Sequence, residues 1–210
     1  MITEVRPPLF LLGLALQIGV TTAAAQGIDP GPPGPFVIDL RGVSIGTPQA
    51  ASFYPPLPDT ILVPSRGFGA EVGAHVYVFR LGPGRLGFGA SVLQARGTAE
   101  GVSVTARVLA PQVSINFGTS DGWSYISGGA GVAAVRGRLH DAGGSGDASR
   151  TSGTLSAINV GGGARWFFTR HVAIGFDLRL HRIGAAAASA SEPGTPATFL
   201  GSASVGFSVK

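Results

Sequence analysis

The chain has no cysteine, a single lysine and a single methionine among its 210 residues. Without cysteine, disulfides, thiolate metal sites and thiol catalysis are excluded. Charge is also scarce: Asp, Glu, Lys and Arg make up 12% of the sequence, about half the share of an ordinary soluble domain. Fifteen bases stand against 11 acids, for a formal net charge of +4. The bases are scattered and belong to no recognised module, so nucleic acid is not an expected partner. Beyond the N-terminus no apolar run approaches the roughly 20 residues that a membrane-spanning helix needs. Yet the mean hydropathy is +0.33, and so the apolar residues must be deployed in another way. Glycine is abundant, with 34 residues, but without the Gly-X-Y period of collagen.

Residues 1–25 read as a cleavable signal peptide. Arg6 supplies a positive start, Leu9 to Val20 an apolar stretch too short to span, and Ala23-Ala24-Ala25 a small-residue site that places cleavage before Gln26. Residues 26–35, QGIDPGPPGP, form a Pro/Gly linker that can carry neither helix nor ladder. Residues 36–210 then form one domain.

From Phe36 onward, apolar residues alternate with polar or small ones, which is the period of a strand. Eight segments carry this pattern: 36–46, 67–80, 85–96, 103–117, 122–137, 154–168, 171–183 and 197–209. Each reaches the roughly 9–11 residues that a tilted strand needs to cross a hydrocarbon core, whereas soluble strands average about 5–6. Short turns at 82–84, 118–121 and 169–170 alternate with longer connections at 47–66, 97–102, 138–153 and 184–196. All tight turns therefore fall on one rim and all long loops on the other, as in membrane barrels. The expected fold is all-β, an eight-stranded antiparallel up-and-down transmembrane β-barrel.

Within the segments, Phe36, Ile38 and Leu40 oppose Asp39 and Arg41. Val172, Ile174, Phe176, Leu178 and Leu180 oppose Asp177, Arg179 and His181. A membrane barrel turns the apolar face outward, and a soluble barrel that binds an apolar ligand turns it inward. Strand length, loop asymmetry and low charge favour the membrane version. In 103–117 the apolar side chains change parity past Pro111, so a β-bulge near Leu109-Ala110-Pro111 is expected. Phe79, Phe117, Trp123, Tyr125, Trp166 and Phe168 lie toward the short-turn rim and are expected to form an aromatic girdle.

The strand Gly122-Trp123-Ser124-Tyr125-Ile126-Ser127-Gly128-Gly129-Ala130-Gly131-Val132 and the stretch Val172-Ala173-Ile174-Gly175-Phe176-Asp177-Leu178-Arg179-Leu180 resemble the small outer-membrane β-barrel superfamily, typified by the OmpA transmembrane domain and OmpX. The resemblance covers 36–210 as a pattern. It implies the fold, the bacterial outer membrane, the barrel assembly machinery as a partner and a monomer, but no single activity. The family's last strand usually ends in an aromatic residue, whereas here Phe207 is followed by Ser208, Val209 and Lys210.

An eight-stranded barrel has an interior just wide enough to be filled by side chains. Parity places Asp39, Arg41, Glu71, Arg107, Arg165, Asp177 and Arg179 inside, with His75 and His181 on the same faces. Buried charges of both signs must pair, so a lumenal salt-bridge network is expected. The alternative is a gate that opens a narrow, low-conductance pore. At the long-loop rim, Arg66, Arg96, Arg136, Arg138, Arg150 and Arg182 stand against Asp59, Glu100, Asp141, Asp147 and Glu192. Arginine binds phosphate bidentately, so contacts with lipopolysaccharide are expected there. No Ser–His pair is visible on one strand, the four histidines lack metal-ligand spacing, and the glycine strings open no helix. No catalytic residue, metal or cofactor is expected, and the role read from the sequence is structural or surface-interacting.

Overall fold

The computed structural model describes residues 35–58, 60–118, 122–140, 147–188 and 193–210. The expected signal peptide (1–25) and nearly all of the expected linker (26–35), together with Asp59, Asp141 and Glu192, lie outside the described residues. The strands are β1 (Phe36–Gly46), β2 (Arg66–Leu81), β3 (Gly84–Ala99), β4 (Val102–Phe117), β5 (Gly122–Leu139), β6 (Ala148–Thr151), β7 (Leu155–Phe167), β8 (Val172–Ile183) and β9 (Thr198–Val209). A single 3-10 turn at Ala51–Phe53 interrupts the connection from β1 to β2. Every ladder is antiparallel, and β9 pairs with β1, so eight long strands close into an up-and-down barrel. The short β6 pairs only with the upper end of β5, and β7 takes over the rest of that edge. No helix among the described residues is long and apolar enough to cross a membrane.

The wall alternates residue by residue. On β8, Ile174, Phe176, Leu178 and Leu180 point outward and are 39–59% exposed, while Ala173, Asp177, Arg179 and His181 point inward and are buried. The same parity rule on β1 buries Val37, Asp39, Arg41 and Val43 and exposes Phe36, Ile38 and Leu40. Inside, the side chains form layers. An aromatic floor lies at the short-turn end, a polar and charged layer lies above it, and an apolar core that includes Ile45, Leu93, Val104, Val135, Ile183 and Leu200 fills the long-loop end.

Three expectations are corrected by this architecture. Strand β4 has no bulge at 109–111. Its register with β3 is unbroken from Gly84↔Phe117 to Ala99↔Val102, and its pairing with β5 keeps one register on both sides of Pro111. The apolar residues change parity because the barrel interior changes from polar to apolar along the strand. Gln112, Ser114 and Asn116 face the polar layer, and Val104, Ala106 and Val108 face the apolar core. A register irregularity is instead found in β2, where Val78 is inserted between Tyr77↔Gly87 and Phe79↔Leu86. The connection at 97–102 is a tight turn and not a loop. β3 and β4 pair up to Ala99↔Val102, with Glu100 and Gly101 at φ of 44° and 78°. Two positive φ values in a two-residue turn match the right-handed twist of the flanking strands. Finally, Trp123 and Tyr125 are no part of an outer girdle. They sit on the inward parity of β5 and are 0% and 3% exposed, whereas Phe79, Phe117, Trp166 and Phe168 do face outward.

Candidate functional site

The charged layer is built from β1, β2, β5, β7, β8 and β9. Arg165 donates to both carboxylate oxygens of Asp39, from Nε at 2.9 Å and from Nη2 at 2.7 Å. Arg41 closes on the same carboxylate at 2.8 Å, and the Ser208 hydroxyl donates to it. On the adjacent strand β8, Arg179 forks onto Asp177 at 3.2 and 3.0 Å and also donates to Asn159 Oδ1 at 2.6 Å and Ser127 Oγ at 2.8 Å. Tyr125 joins the two groups. Its hydroxyl donates to Asp177 at 2.8 Å, and the Arg165 guanidinium stacks over its ring at 4.0 Å. Glu71 is buried and lies opposite Arg41 in the β1–β2 register. Three acidic side chains are thus buried together with three guanidinium groups, and Asp39 and Asp177 carry the ion pairs. These pairs and the hydrogen bonds offset the cost of removing ions from water. The glycines of β7 make room for it: a Cβ on Gly163 would lie 2.8 Å from the Tyr125 hydroxyl oxygen.

Uncharged partners extend the network. His75 Nε2 donates to Gln112 Oε1 at 3.3 Å, and Gln112 Nε2 donates to Ser91 Oγ at 2.7 Å. His181 Nε2 is hydrogen-bonded with Ser202 Oγ at 3.1 Å. Below, Trp123 packs on Phe167 with ring centroids 4.5 Å apart. The Lys210 ammonium lies 4.6 Å and 4.4 Å from the centroids of these two rings. The extra C-terminal lysine therefore closes the floor.

The long-loop mouth is closed by the connection from β1 to β2. Phe53 and Tyr54 drop into the apolar core and are each 1% exposed. The Tyr54 hydroxyl donates to the Pro48 carbonyl at 2.7 Å, and burial pushes its pKa up to about 12. Thr47 Oγ1 donates to the Pro64 carbonyl, and the Leu62 amide donates to Glu100 at 3.0 Å, which ties this segment to the β3–β4 turn. Room for the segment comes from Gly137, where a Cβ would meet the Phe53 carbonyl oxygen at 2.6 Å.

Arg107 is not part of the lumen. It lies on the outward parity of β4, is exposed, and donates from Nε to Gln94 Oε1 at 2.7 Å. The structure brings it together with Arg96, Arg136 and Arg138. The registers Gln94↔Arg107↔Ala134, Arg96↔Thr105↔Arg136 and Thr98↔Ser103↔Arg138 set the four arginines in three adjacent rows on the outer wall of β3, β4 and β5. They line a groove of about 360 Å³. Among the described residues no carboxylate forms an ion pair with any of them. The other rim arginines lie elsewhere. Arg66 reaches Ser44 at 3.4 Å, Arg182 is exposed between Ile158 and Phe199, and Arg150 donates to the Pro193 carbonyl of the β8–β9 connection.

One arrangement escaped sequence reading because its members come from three strands or their ends. Ser103 Oγ lies 3.1 Å from His140 Nε2, and His140 Nδ1 lies 3.1 Å from Asp147 Oδ2. This is the order of a Ser–His–carboxylate triad. The serine, however, is 2% exposed and lies within 3.3 Å of the Arg96 guanidinium, whereas the aspartate side chain is 55% exposed. A nucleophile must be reachable and its carboxylate held, and here the two are reversed. The chain of contacts instead pins the top of the β5–β6 hairpin to β4 beside the arginines.

The barrel is similar to the crystal structure of Neisserial surface protein A, NspA, with a TM-score of 0.55 and 16% identity over 84% of this chain and 97% of that one. The two share the small eight-stranded barrel fold. Similarity also extends to the outer membrane protein OprG from Pseudomonas aeruginosa (TM-score 0.47, 10% identity, 86% and 98% covered). A third similar structure is Ail, the attachment invasion locus protein of Yersinia pestis (TM-score 0.45, 12% identity, 83% and 95% covered). No family model and no curated protein matches the sequence.

Proposed function

We propose that the mature chain is an outer-membrane barrel with a structural or surface-interacting role, its lumen filled and not conducting. One observation carries this reading: the wall is apolar outside and charged inside. Leu40, Val160, Leu178 and Val205 are each about 60% exposed, while six charged side chains are buried. In water that arrangement would be inverted, and a continuous apolar band of this kind marks a lipid-facing surface. On β4 the band runs from Leu109 to Phe117, eight residue steps, or about 20 Å of height at ordinary strand rise and tilt. The soluble, ligand-binding alternative would need the opposite polarity at mid-height.

In this reading the short turns face the periplasm, the signal peptide directs export, and the barrel assembly machinery inserts a monomer. The floor, the charged layer and the loop-capped apolar core together oppose the pore reading. The test is fractionation of cells that express the full chain. The mature protein is expected in the outer membrane and should shift on gels after heating. A soluble, heat-insensitive product refutes the reading. Conductance in planar bilayers that responds to Asp177→Asn would replace the filled barrel by the pore.

A further inference from the structure

The arginine groove does not end in solvent. Its lower edge, formed by Gln94, Arg107 and Ala134, is also the upper edge of a second groove of about 240 Å³, whose other walls include Val92, Leu109 and Val132. The next outward row down is Ala90, Pro111 and Ala130, all short side chains. The wall between the bulkier flanking residues is therefore shallow below the arginines as well. We infer that the outer face of β3–β4–β5 is a lipid site. The four guanidinium groups hold the phosphates of an anionic, multiply phosphorylated glycolipid headgroup, and one acyl chain lies in the groove beneath. This rests on the membrane orientation proposed above and names the lipid partner within it.

The chemistry selects the ligand class. Guanidinium forks match phosphate oxygens bidentately, and none of the four is neutralised by a described carboxylate. The rows of Arg107, Arg96 with Arg136, and Arg138 span four residues of strand, roughly 10 Å of height at ordinary rise and tilt. One phosphate would engage a single row, so two or more are needed to use the patch. Arg107 stands only two residues above Leu109, where the apolar band begins. A ligand on the arginines therefore has its hydrophobic part at the groove without crossing polar surface. Neighbouring polar groups position the donors: Gln94 accepts from Arg107, and Ser103 and His140 lie against Arg96.

The experiment uses the full mature protein in detergent and, as probes, diphosphorylated lipid A, its monophosphorylated form and inorganic phosphate. Binding is read by native mass spectrometry and by titration. The wild type is expected to retain the diphosphorylated lipid more tightly than the monophosphorylated one, and millimolar phosphate should not displace it. Arg107→Gln with Arg136→Gln should weaken retention by about tenfold or more, the scale of a lost charge-assisted contact. Arg66→Gln with Arg182→Gln, at the same rim but off the patch, should leave retention unchanged. Ala134→Trp, which fills the junction of the two grooves from outside the barrel, should weaken the lipid and not free phosphate. Equal retention in the Arg107/Arg136 variant, equal loss in the Arg66/Arg182 variant, or full displacement by phosphate each overturn the site. Flotation of every variant with lipid vesicles separates the two claims. If the proteins float but bind alike, only the site fails. If the wild type does not float, the membrane reading fails with it.

Discussion

Breaking the Asp39–Arg165 pair tests whether the lumen is held by its charge layer. The pair is bidentate, both side chains are at most 2% exposed, and Arg165 also stacks on Tyr125. Removing one partner of such a buried pair costs about 3–5 kcal/mol, because the other charge is left without its counter-ion. Arg165→Met should fall at the lower end, near about 3 kcal/mol, since Asp39 keeps Arg41 at 2.8 Å and the Ser208 hydroxyl. Asp39→Asn should cost as much or more, because it strands two guanidinium groups. The double variant removes both members, so its cost should not exceed the larger single cost by much. The coupling is then expected at about 2–3 kcal/mol. The assay is urea unfolding in lipid vesicles, followed by the gel mobility of unheated samples. Fluorescence in a Trp166→Phe background adds a second signal, since it leaves Trp123 as the only, lumenal, reporter. Additivity of the single costs within about 0.5 kcal/mol, or a cost below about 1 kcal/mol for Arg165→Met, refutes the reasoning.

Gly137→Val should expel the loop cap, because its Cβ would lie 2.6 Å from the Phe53 carbonyl oxygen and 3.0 Å from Tyr54 Cα; faster proteolysis of 47–65 with an intact barrel band on gels is the expected result, and unchanged proteolysis counts against the cap. Ser103 should resist a fluorophosphonate probe under conditions that label an exposed triad serine, and stoichiometric labelling would show that the Ser103–His140–Asp147 chain is catalytic after all. The absence of cysteine permits single-cysteine scanning of β4 on a clean background. Thr105→Cys should react with a water-soluble maleimide in intact vesicles, while Val113→Cys should not; equal reaction at both positions removes the membrane edge from between them.

Most strands were legible because parity and length are written locally. β1 spans 36–46 as the alternation predicts, and Asp39, Arg41, Glu71, Arg165, Asp177 and Arg179 lie on the inward faces. Which acid meets which base was not legible. Asp39 and Arg165 are 126 residues apart, and only the closed ring brings β1 and β7 to one height. The turn at Glu100-Gly101 is not signalled in the sequence because a non-glycine residue takes one of its positive φ angles, where Asn, Asp or Gly is the usual signal. Trp123 was misplaced for a different reason. An aromatic near a rim satisfies the girdle rule by height, but the rule says nothing about which way the ring points. The arginine patch needed three registers at once, and its members are spread over residues 96–138.

Arg107 shows why a single parity rule cannot be carried along a whole strand. In the lower part of β4 the apolar side chains face outward and the polar ones inward; in the upper part Val104, Ala106 and Val108 face inward and Thr105 and Arg107 outward. No bulge or slip intervenes. On the proposed orientation the backbone continues unchanged while the solvent outside it changes from hydrocarbon to headgroups and water, and the side chains follow the solvent. The lower part of the wall thus has the polarity of a membrane barrel and the upper part that of a soluble one, built on the same strands. If the proposed orientation holds, a parity change at constant register locates the membrane edge, here between Leu109 and Arg107. A bulge would have kept the apolar face outward above that level, with Arg107 in the core. The observed wall does the opposite, and it leaves four arginines on the outer surface directly above the lipid-facing band.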